Sequence, residues 1–304
     1  MADDELIVTV GGEQVRITNP DKVMFPVQGW TKRDVVDHFL FCVDGALAGV
    51  FGRPTMLKRW PNGVGAKPFF QKRAPDVATE RIVVHYPSGR SAAWLVPRSP
   101  ADVIWMAQLN CLDLNPWTSR AEHVERPDEL RIDLDPTPQA GFADVRRVAL
   151  VVREVLSDHG LVGWPKTSGS KGMHVYVRIQ ALWSFTEVRR AALAVGRTVE
   201  AEIPDLATTA WWKHQRHGVF IDYNQNTRDH TIASAYSVRP TGLVSAPLTW
   251  DEVPVAEPAD FPMVGFAARY RRLGDVMEGI DDTPGSLEPL LDTARAQDAE
   301  GTPQ

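Results

Sequence analysis

The sequence predicts a mixed α/β fold: a sheet flanked by helices, with an acidic site on the strands. Two observations lead there. Between residues 129 and 223, strand-period and helix-period segments follow one another as strand, helix, strand, helix, strand, the order of an α/β layer built on one sheet. Within that region "RIDLDPTP" (131–138) alternates apolar and acidic residues. Strand side chains alternate faces, so Asp133 and Asp135 point one way while Ile132 and Leu134 point into a core.

The elements follow in chain order. "TKRDVVDHFLFCVDGALAGVFG" (31–52) reads as one helix, with Thr31 as N-cap, Asp34 three residues on, and an apolar stripe of Val35, Phe39, Val43, Leu47 and Val50. "RIVVHYPSGRSAAWLVP" (81–97) reads as a hairpin turning at Pro87-Ser88-Gly89. "ELRIDLD" is a strand. "FADVRRVALVVREVLSDHG" (142–160) is a helix with Phe142, Val145, Val148, Val152 and Val155 inward, closed by Gly160. "MHVYVRI" (173–179) alternates as a strand, which puts His174, Tyr176 and Arg178 on one face. "SFTEVRRAALAVGRTVEAEI" (184–203) opens with a capping box, Ser184 to Glu187. "GVFIDYNQ" (218–225) is a further strand. No linker or repeat interrupts the chain, so a single domain is expected over 1–290, followed by a disordered tail at 291–304.

Composition narrows the function classes. The 304 residues carry a net charge of -6, and 43% are apolar. No run approaches the length of a membrane span, and "MADDELIVTV" lacks a signal peptide's basic and apolar regions. A cytoplasmic protein is expected, with Cys42 and Cys111 as buried thiols. The acidity is uneven. Residues 251–304 hold 12 acids against 4 arginines, whereas residues 1–250 hold 27 acids and 29 bases. A mildly basic body permits a phosphate-bearing partner.

The chemistry-bearing residues fall into three groups. Asp133 and Asp135 repel one another on a shared face, a cost that a hard divalent cation such as Mg²⁺ or Mn²⁺ relieves. Alone, the pair reads first as a solvated strand end where Asp precedes a Pro turn. Asp222, between apolar Ile221 and Tyr223, adds a third strand-borne acid; a salt bridge to a core arginine is its bland reading. The second group is "TSGSKGMH" (167–174). Ser168, Lys171 and the glycines form a short donor-rich loop suited to phosphate oxygens, and His174 follows it on the polar face. The spacing is not that of a P-loop. The third group, "WWKHQRHG" (211–218), mixes Trp211, Trp212, Lys213 and Arg216, which suits single-stranded or frayed DNA. His214 and His217 have no further ligands nearby for zinc. Acids for two metal ions together with a phosphate loop are what nucleotide transfer needs.

In this order and spacing, DLDP, TSGSKGMH, FIDYNQN and AYSVRP, with KRWPNG and PFFQK upstream, resemble the polymerase domain of the bacterial DNA ligase D system, a member of the archaeo-eukaryotic primase superfamily. The resemblance runs from Val8 to Arg272. It implies a primase-polymerase catalytic core that extends DNA primers from NTPs or dNTPs, in gap filling and end processing during non-homologous end joining. It implies Asp133, Asp135 and Asp222 as catalytic metal ligands, with Ser168, Lys171, His174, Arg239 and Lys58 holding the incoming nucleotide. Phe69 and Phe70 are implied to stack near the templating base; ordinary core is their alternative. Lys22 and Lys32 are implied to grip the 5′-phosphate of a DNA break. Independently of the resemblance, Lys32 stands in the first turn of the expected helix, where free N–H groups attract an anion. Trp211, Lys213 and Arg216 fall on the family's DNA loop.

Two departures stand out. Before the DLDP strand the family carries a His followed by Pro-Trp, and this chain has Asn115 there, which cannot become cationic. That bears on a nucleotide contact and on ribose preference. No ligase or nuclease segment follows, so a stand-alone polymerase is expected, working with separate ligase and end-binding repair proteins. The alternatives are a non-catalytic 5′-phosphate DNA-end-binding module that recruits other repair proteins, and a metal-dependent phosphoesterase.

Overall fold

The computed structural model describes residues 5–75, 80–86 and 88–299. In chain order the first part comprises strands β1 (Glu5–Val10), β2 (Glu13–Thr18), β3 (Val23–Phe25) and β4 (Trp30–Thr31), then helices α1 (Lys32–Phe41) and α2 (Val43–Ala48). Strands β5 (Thr55–Arg59), β6 (Phe69–Gln71), β7 (Arg81–His85) and β8 (Ser91–Leu95) follow, then α3 (Pro100–Gln108) and β9 (Cys111–Pro116). Next come β10 (Glu129–Pro136), α4 (Phe142–Asp158), β11 (Gly163–Thr167), β12 (Met173–Arg178) and α5 (Phe185–Glu202). The last are β13 (Ala207–Thr208), β14 (Val219–Asp222), α6 (Phe266–Leu273) and α7 (Glu288–Ala299).

The chain forms two compact units with interleaved segments. The first comprises Met1–Glu122, Thr231–Ala246 and Phe261–Asp275; the second comprises His123–His230, Pro247–Asp260 and Val276–Gln304. Each unit is thus closed by chain that returns from later in the sequence, a long-range pairing that no local linker signal marks.

In the first unit, β5 is the hub of a sheet, pairing with β6, β8 and β9, with β7 at the edge beyond β8. The β7–β8 hairpin forms as expected, closing on Tyr86 N–H to Arg90 C=O with Gly89 at φ 76°; Pro87 lies outside the described residues. The helix expected over 31–52 breaks at Cys42, whose φ −116° and ψ 27° leave the helical range. Its thiol donates to the His38 carbonyl at 3.2 Å. The break redirects the stripe: Val35, Phe39 and Val50 are buried as expected, Val43 and Leu47 only half so, and Val36 and Ala46 are buried as well. Both cysteines are free and buried.

In the second unit, five strands run β11-β12-β10-β14-β13. All neighbours are antiparallel except β13 with β14. Helices α4 and α5 cover one face, where Ile132, Leu134, Val175, Val177 and Ile221 are fully buried. Burying a side chain of this size contributes about 1.5–3 kcal/mol, which fixes the strand register: a one-residue slip would turn the apolar set to the other face. The sequence-level caps hold. Ser184 and Glu187 form a reciprocal capping box on α5, and Gly160, at φ 70°, ends α4 with Leu161 N–H bonded to Leu156 C=O.

The expected tail is corrected. Residues 291–299 are helical, part of α7, because Leu290, Leu291 and Ala294 are buried along it; residues 300–304 lie outside the described residues. Among the described residues no helix is long and apolar enough to cross a membrane.

Candidate active site

The polar face of the second unit's sheet follows from strand alternation. On β10, Glu129, Arg131, Asp133 and Asp135 share it, opposite the buried Leu130, Ile132 and Leu134. Asp133 is the directly opposed partner of Asp222 on β14 and of His174 on β12. Carboxylate oxygens of Asp133, Asp135 and Asp222 lie within 4.8 Å of one another. Asp133 is buried, Asp222 half-buried and Asp135 exposed, so the cluster opens to solvent at the Asp135 end. The three acids expected to converge do so. Asp222 is further oriented by the Asn224 backbone N–H, 2.9 Å from Oδ1, and by Gln225 Nε2, 3.3 Å from Oδ2.

This donor set fits a hard divalent cation. Three carboxylates gathered from two adjacent strands supply oxygen ligands and concentrate negative charge that a cation neutralises. Nothing in the set distinguishes Mg²⁺ from Mn²⁺.

Beside it lies the 167–172 loop. Ser168 Oγ accepts from the backbone N–H groups of Ser170 and Gly172, at 3.2 and 3.1 Å. Gly169 adopts φ 69°. Gly172 passes so close to β10 that a Cβ there would lie 2.3 Å from the Leu134 carbonyl oxygen and 3.5 Å from Asp135 Oδ1. The loop is thus pinned against the acidic strand while Lys171 is exposed. Ser168 serves here as the loop's internal acceptor, a role that residue type alone does not reveal.

His174 is 4% exposed. Its Nδ1 lies 2.7 Å from Lys166 Nζ and its Nε2 lies 3.5 Å from Asp133 Oδ1. The imidazole thus bridges Lys166 on its Nδ1 side and Asp133 on its Nε2 side. Tyr176 stacks parallel to the imidazole at 6.2 Å, and Lys166 stands over the Tyr176 ring. Sequence reading missed Lys166, which is fully buried. It also missed the adjoining ion-pair ladder, in which Glu129 bonds Arg131 and Arg178 at 2.6 Å each and Arg178 reaches Asp281 at 2.5 Å. Alternation in "ELRIDLD" was the available signal for Glu129 and Arg131; Lys166 had none.

The "WWKHQRHG" segment is a loop of this unit. Trp211 is 51% and Trp212 60% exposed, and Lys213 is exposed on a short 3₁₀ turn. Arg216 braces the loop: its guanidinium lies over the Phe220 ring at 3.3 Å and donates to the Ala210 and Trp211 carbonyls.

The remaining candidates belong to the first unit. Lys58 pairs with Asp113 at 2.8 Å, where Asp113 is 1% exposed, and stands over the Trp60 and Phe70 rings. Asn115 is buried, its Nδ2 donating to the Asp113 carbonyl at 2.9 Å. Asp113 was not foreseen, although it shares a strand face with Asn115. Phe69 and Phe70 are 54% and 56% exposed, which excludes the ordinary-core reading. Arg239 begins the turn to Gly242. Lys32 is the first residue of α1, 3% exposed, with Nζ donating to the Thr18 carbonyl at 2.8 Å. Burial first, then Lys22 and Arg59 nearby, push its ammonium down to about 8. Lys22 Nζ donates to the Pro61 carbonyl.

Fold and site together define a class: an α/β protein with an acidic, cation-suited cluster on neighbouring strands beside a small-residue loop. Within that class the chain belongs to the LigD primase-polymerase domain family, whose model matches residues 31–277. It is 34% identical to the multifunctional non-homologous end joining DNA repair protein LigD of Mycobacterium tuberculosis, over 96% of this chain and 40% of that protein. With the LigD of Mycolicibacterium smegmatis it shares 34% identity over 91% of this chain and 36% of that protein. The chain therefore spans about two fifths of the length of these relatives. Among solved structures it resembles the polymerase domain from Mycobacterium tuberculosis ligase D in complex with DNA, with a TM-score of 0.82 and 34% identity, covering 89% of this chain and 99% of that one.

Proposed function

We propose that this chain is a metal-dependent nucleotidyltransferase that extends DNA primers from NTPs or dNTPs, filling gaps and processing broken ends in non-homologous end joining. The observation that carries the reading is the convergence of Asp133, Asp135 and Asp222 within 4.8 Å, beside the 167–172 loop. The family's solved relative in complex with DNA supports the same partner.

The three aspartates would hold two Mg²⁺ or Mn²⁺ ions, which when bound lower the pKa of an attacking hydroxyl and neutralise a leaving pyrophosphate. The chain's own residues do the rest. Lys171, at the exposed crest of the loop, offers a cation to the triphosphate. Ser168 keeps the loop's shape, and Gly172 lets it approach Asp135. His174, held by Lys166, presents its Nε2 edge toward the Asp133 side. Lys58 and Arg239 keep the nucleotide-binding roles, and Lys22, Lys32, Phe69, Phe70, Trp211, Lys213 and Arg216 the DNA-binding roles, that the family resemblance implies; Asn115 takes the nucleotide-binding position where the family has a His, as a neutral hydrogen-bonding side chain. A cytoplasmic setting completes the proposal.

Primer extension on a gapped, 5′-phosphorylated substrate with Mn²⁺ tests it. Wild type adds nucleotides and releases pyrophosphate, while Asp135→Ala and Asp222→Ala lose at least about 10²-fold in rate, as expected when charge stabilisation of a transition state is removed. Wild-type rates in both variants would refute the mechanism.

A further inference from the structure

A second basic feature of the second unit lies outside the acidic site. A cavity of about 490 Å³ is lined by Arg189, Arg190 and Arg197 of α5 and by Trp211, Tyr223 and Asp298. Its charge is unbalanced. Asp298, on α7, accepts from Arg190 Nη2 at 2.6 Å and from Arg197 Nη1 at 3.0 Å, and is the acid among the named lining residues. These two arginines hold its carboxyl below the usual range. Arg189 instead lies over the Tyr223 ring at 4.8 Å and donates from Nε to Asn224 Oδ1 at 3.0 Å. Among the described residues no carboxylate pairs with it. Arg197 is only 8% exposed, so the cavity has a cation at its base, while Trp211 offers an open ring at its edge.

A carboxylate bridging two guanidiniums occupies the position that a phosphate takes in the same fork geometry. An aromatic face beside such a position matches the way single strands are held, with the phosphate in a basic groove and the base stacked. Tyr223 and Asn224 directly follow Asp222 in the chain, so this cavity adjoins the strand end that carries the third acid.

We propose that this cavity is an auxiliary subsite for single-stranded nucleic acid. It takes one phosphodiester between Arg189 and Arg197 with the neighbouring base against Trp211, and Asp298 of α7 is an internal anion that competes with that phosphate. The proposal rests on the reading of the chain as a DNA-directed enzyme.

Binding of a short labelled oligothymidylate, without divalent metal or nucleotide, tests it by fluorescence anisotropy alongside intrinsic tryptophan emission. Arg189→Gln and Trp211→Ala weaken binding about tenfold, near the lower range for loss of one stacked base or phosphate contact. Asp298→Asn tightens it several-fold, and an abasic oligomer binds more weakly than oligothymidylate and quenches tryptophan less. Because Asp298→Asn also removes two α7–α5 ion pairs, Arg189→Gln, which touches neither, provides the independent reading. Wild-type affinity in Arg189→Gln overturns the subsite, as does full competition by inorganic phosphate at equal concentration. If wild type extends primers yet does not bind the oligomer, the subsite falls while the polymerase reading stands. If it neither extends primers nor binds any DNA, both fall.

Discussion

Lys32 carries its charge against the grain of its surroundings. A nearly buried ammonium beside Lys22 and Arg59 titrates near 8, where an ordinary lysine holds its proton to about 10.5. The unfolded chain therefore binds more protons than the folded one between those values, and this group's contribution to stability rises with pH across that window. A bound anion has the opposite preference, since it needs the ammonium. Affinity for a 5′-phosphorylated DNA end is accordingly expected to fall as pH rises through about 8, well before ordinary lysines titrate. An unphosphorylated end loses less, and Lys32→Gln weakens the phosphorylated end about tenfold at pH 7, the value of one charge-assisted hydrogen bond. Anisotropy titrations of both ends across pH 7–9.5 check this. At this scale the sequence was legible where residue type and alternation act together. Asp133 and Asp135 on one face and Lys32 at a helix start follow from spacing, whereas Asp222 beside them was expected from the family resemblance and depends on β10 and β14 meeting in register. Asp113 under Lys58 and Lys166 under His174 were not legible as partners, because each pairing depends on two strands meeting in register.

Among the elements, the 167–172 loop is the most tightly specified. Its glycine at 172 leaves no room for a side chain against the Leu134 carbonyl, so Gly172→Ala must push the loop from β10 or bend the strand. Such overpacking costs about 1–3 kcal/mol. A lowered thermal midpoint, with a loss of primer extension larger than the loss of folded protein, is the expected pattern; an unchanged midpoint and rate would show that the loop has slack. Capped helices were readable from sequence, because Ser184–Glu187 and Gly160 announce their own geometry. The break at Cys42 was not, since an unbroken apolar stripe hides a change of axis. The C-terminal helix was missed for a different reason. Its last residues are polar, and its anchors, Leu290 and Leu291 with Asp298 bonded to Arg190 and Arg197, depend on α5, whose two arginines lie 108 and 101 residues before Asp298.

At the scale of the whole molecule, the formal charge of -6 conceals a body of near balance with a strongly acidic final fifty residues. DNA affinity should still fall steeply with salt, because local cations and not net charge meet the phosphates. Lys22→Gln is expected to reduce the slope of log affinity against log salt by about 1; an unchanged slope would remove Lys22 from the phosphate contacts. The division into two interleaved units was invisible in the sequence, which contains no linker. The mixed α/β class and the strand order around the acids were visible, because hydrophobic period and alternation are local. The central claim is that Asp133, Asp135 and Asp222 act as one cation-binding group. Anomalous diffraction at the manganese edge, from crystals soaked with Mn²⁺ and a nucleoside triphosphate, tests it most directly. Density within coordination distance of all three carboxylates is the predicted result, and saturating Mn²⁺ with no density at that cluster would contradict it.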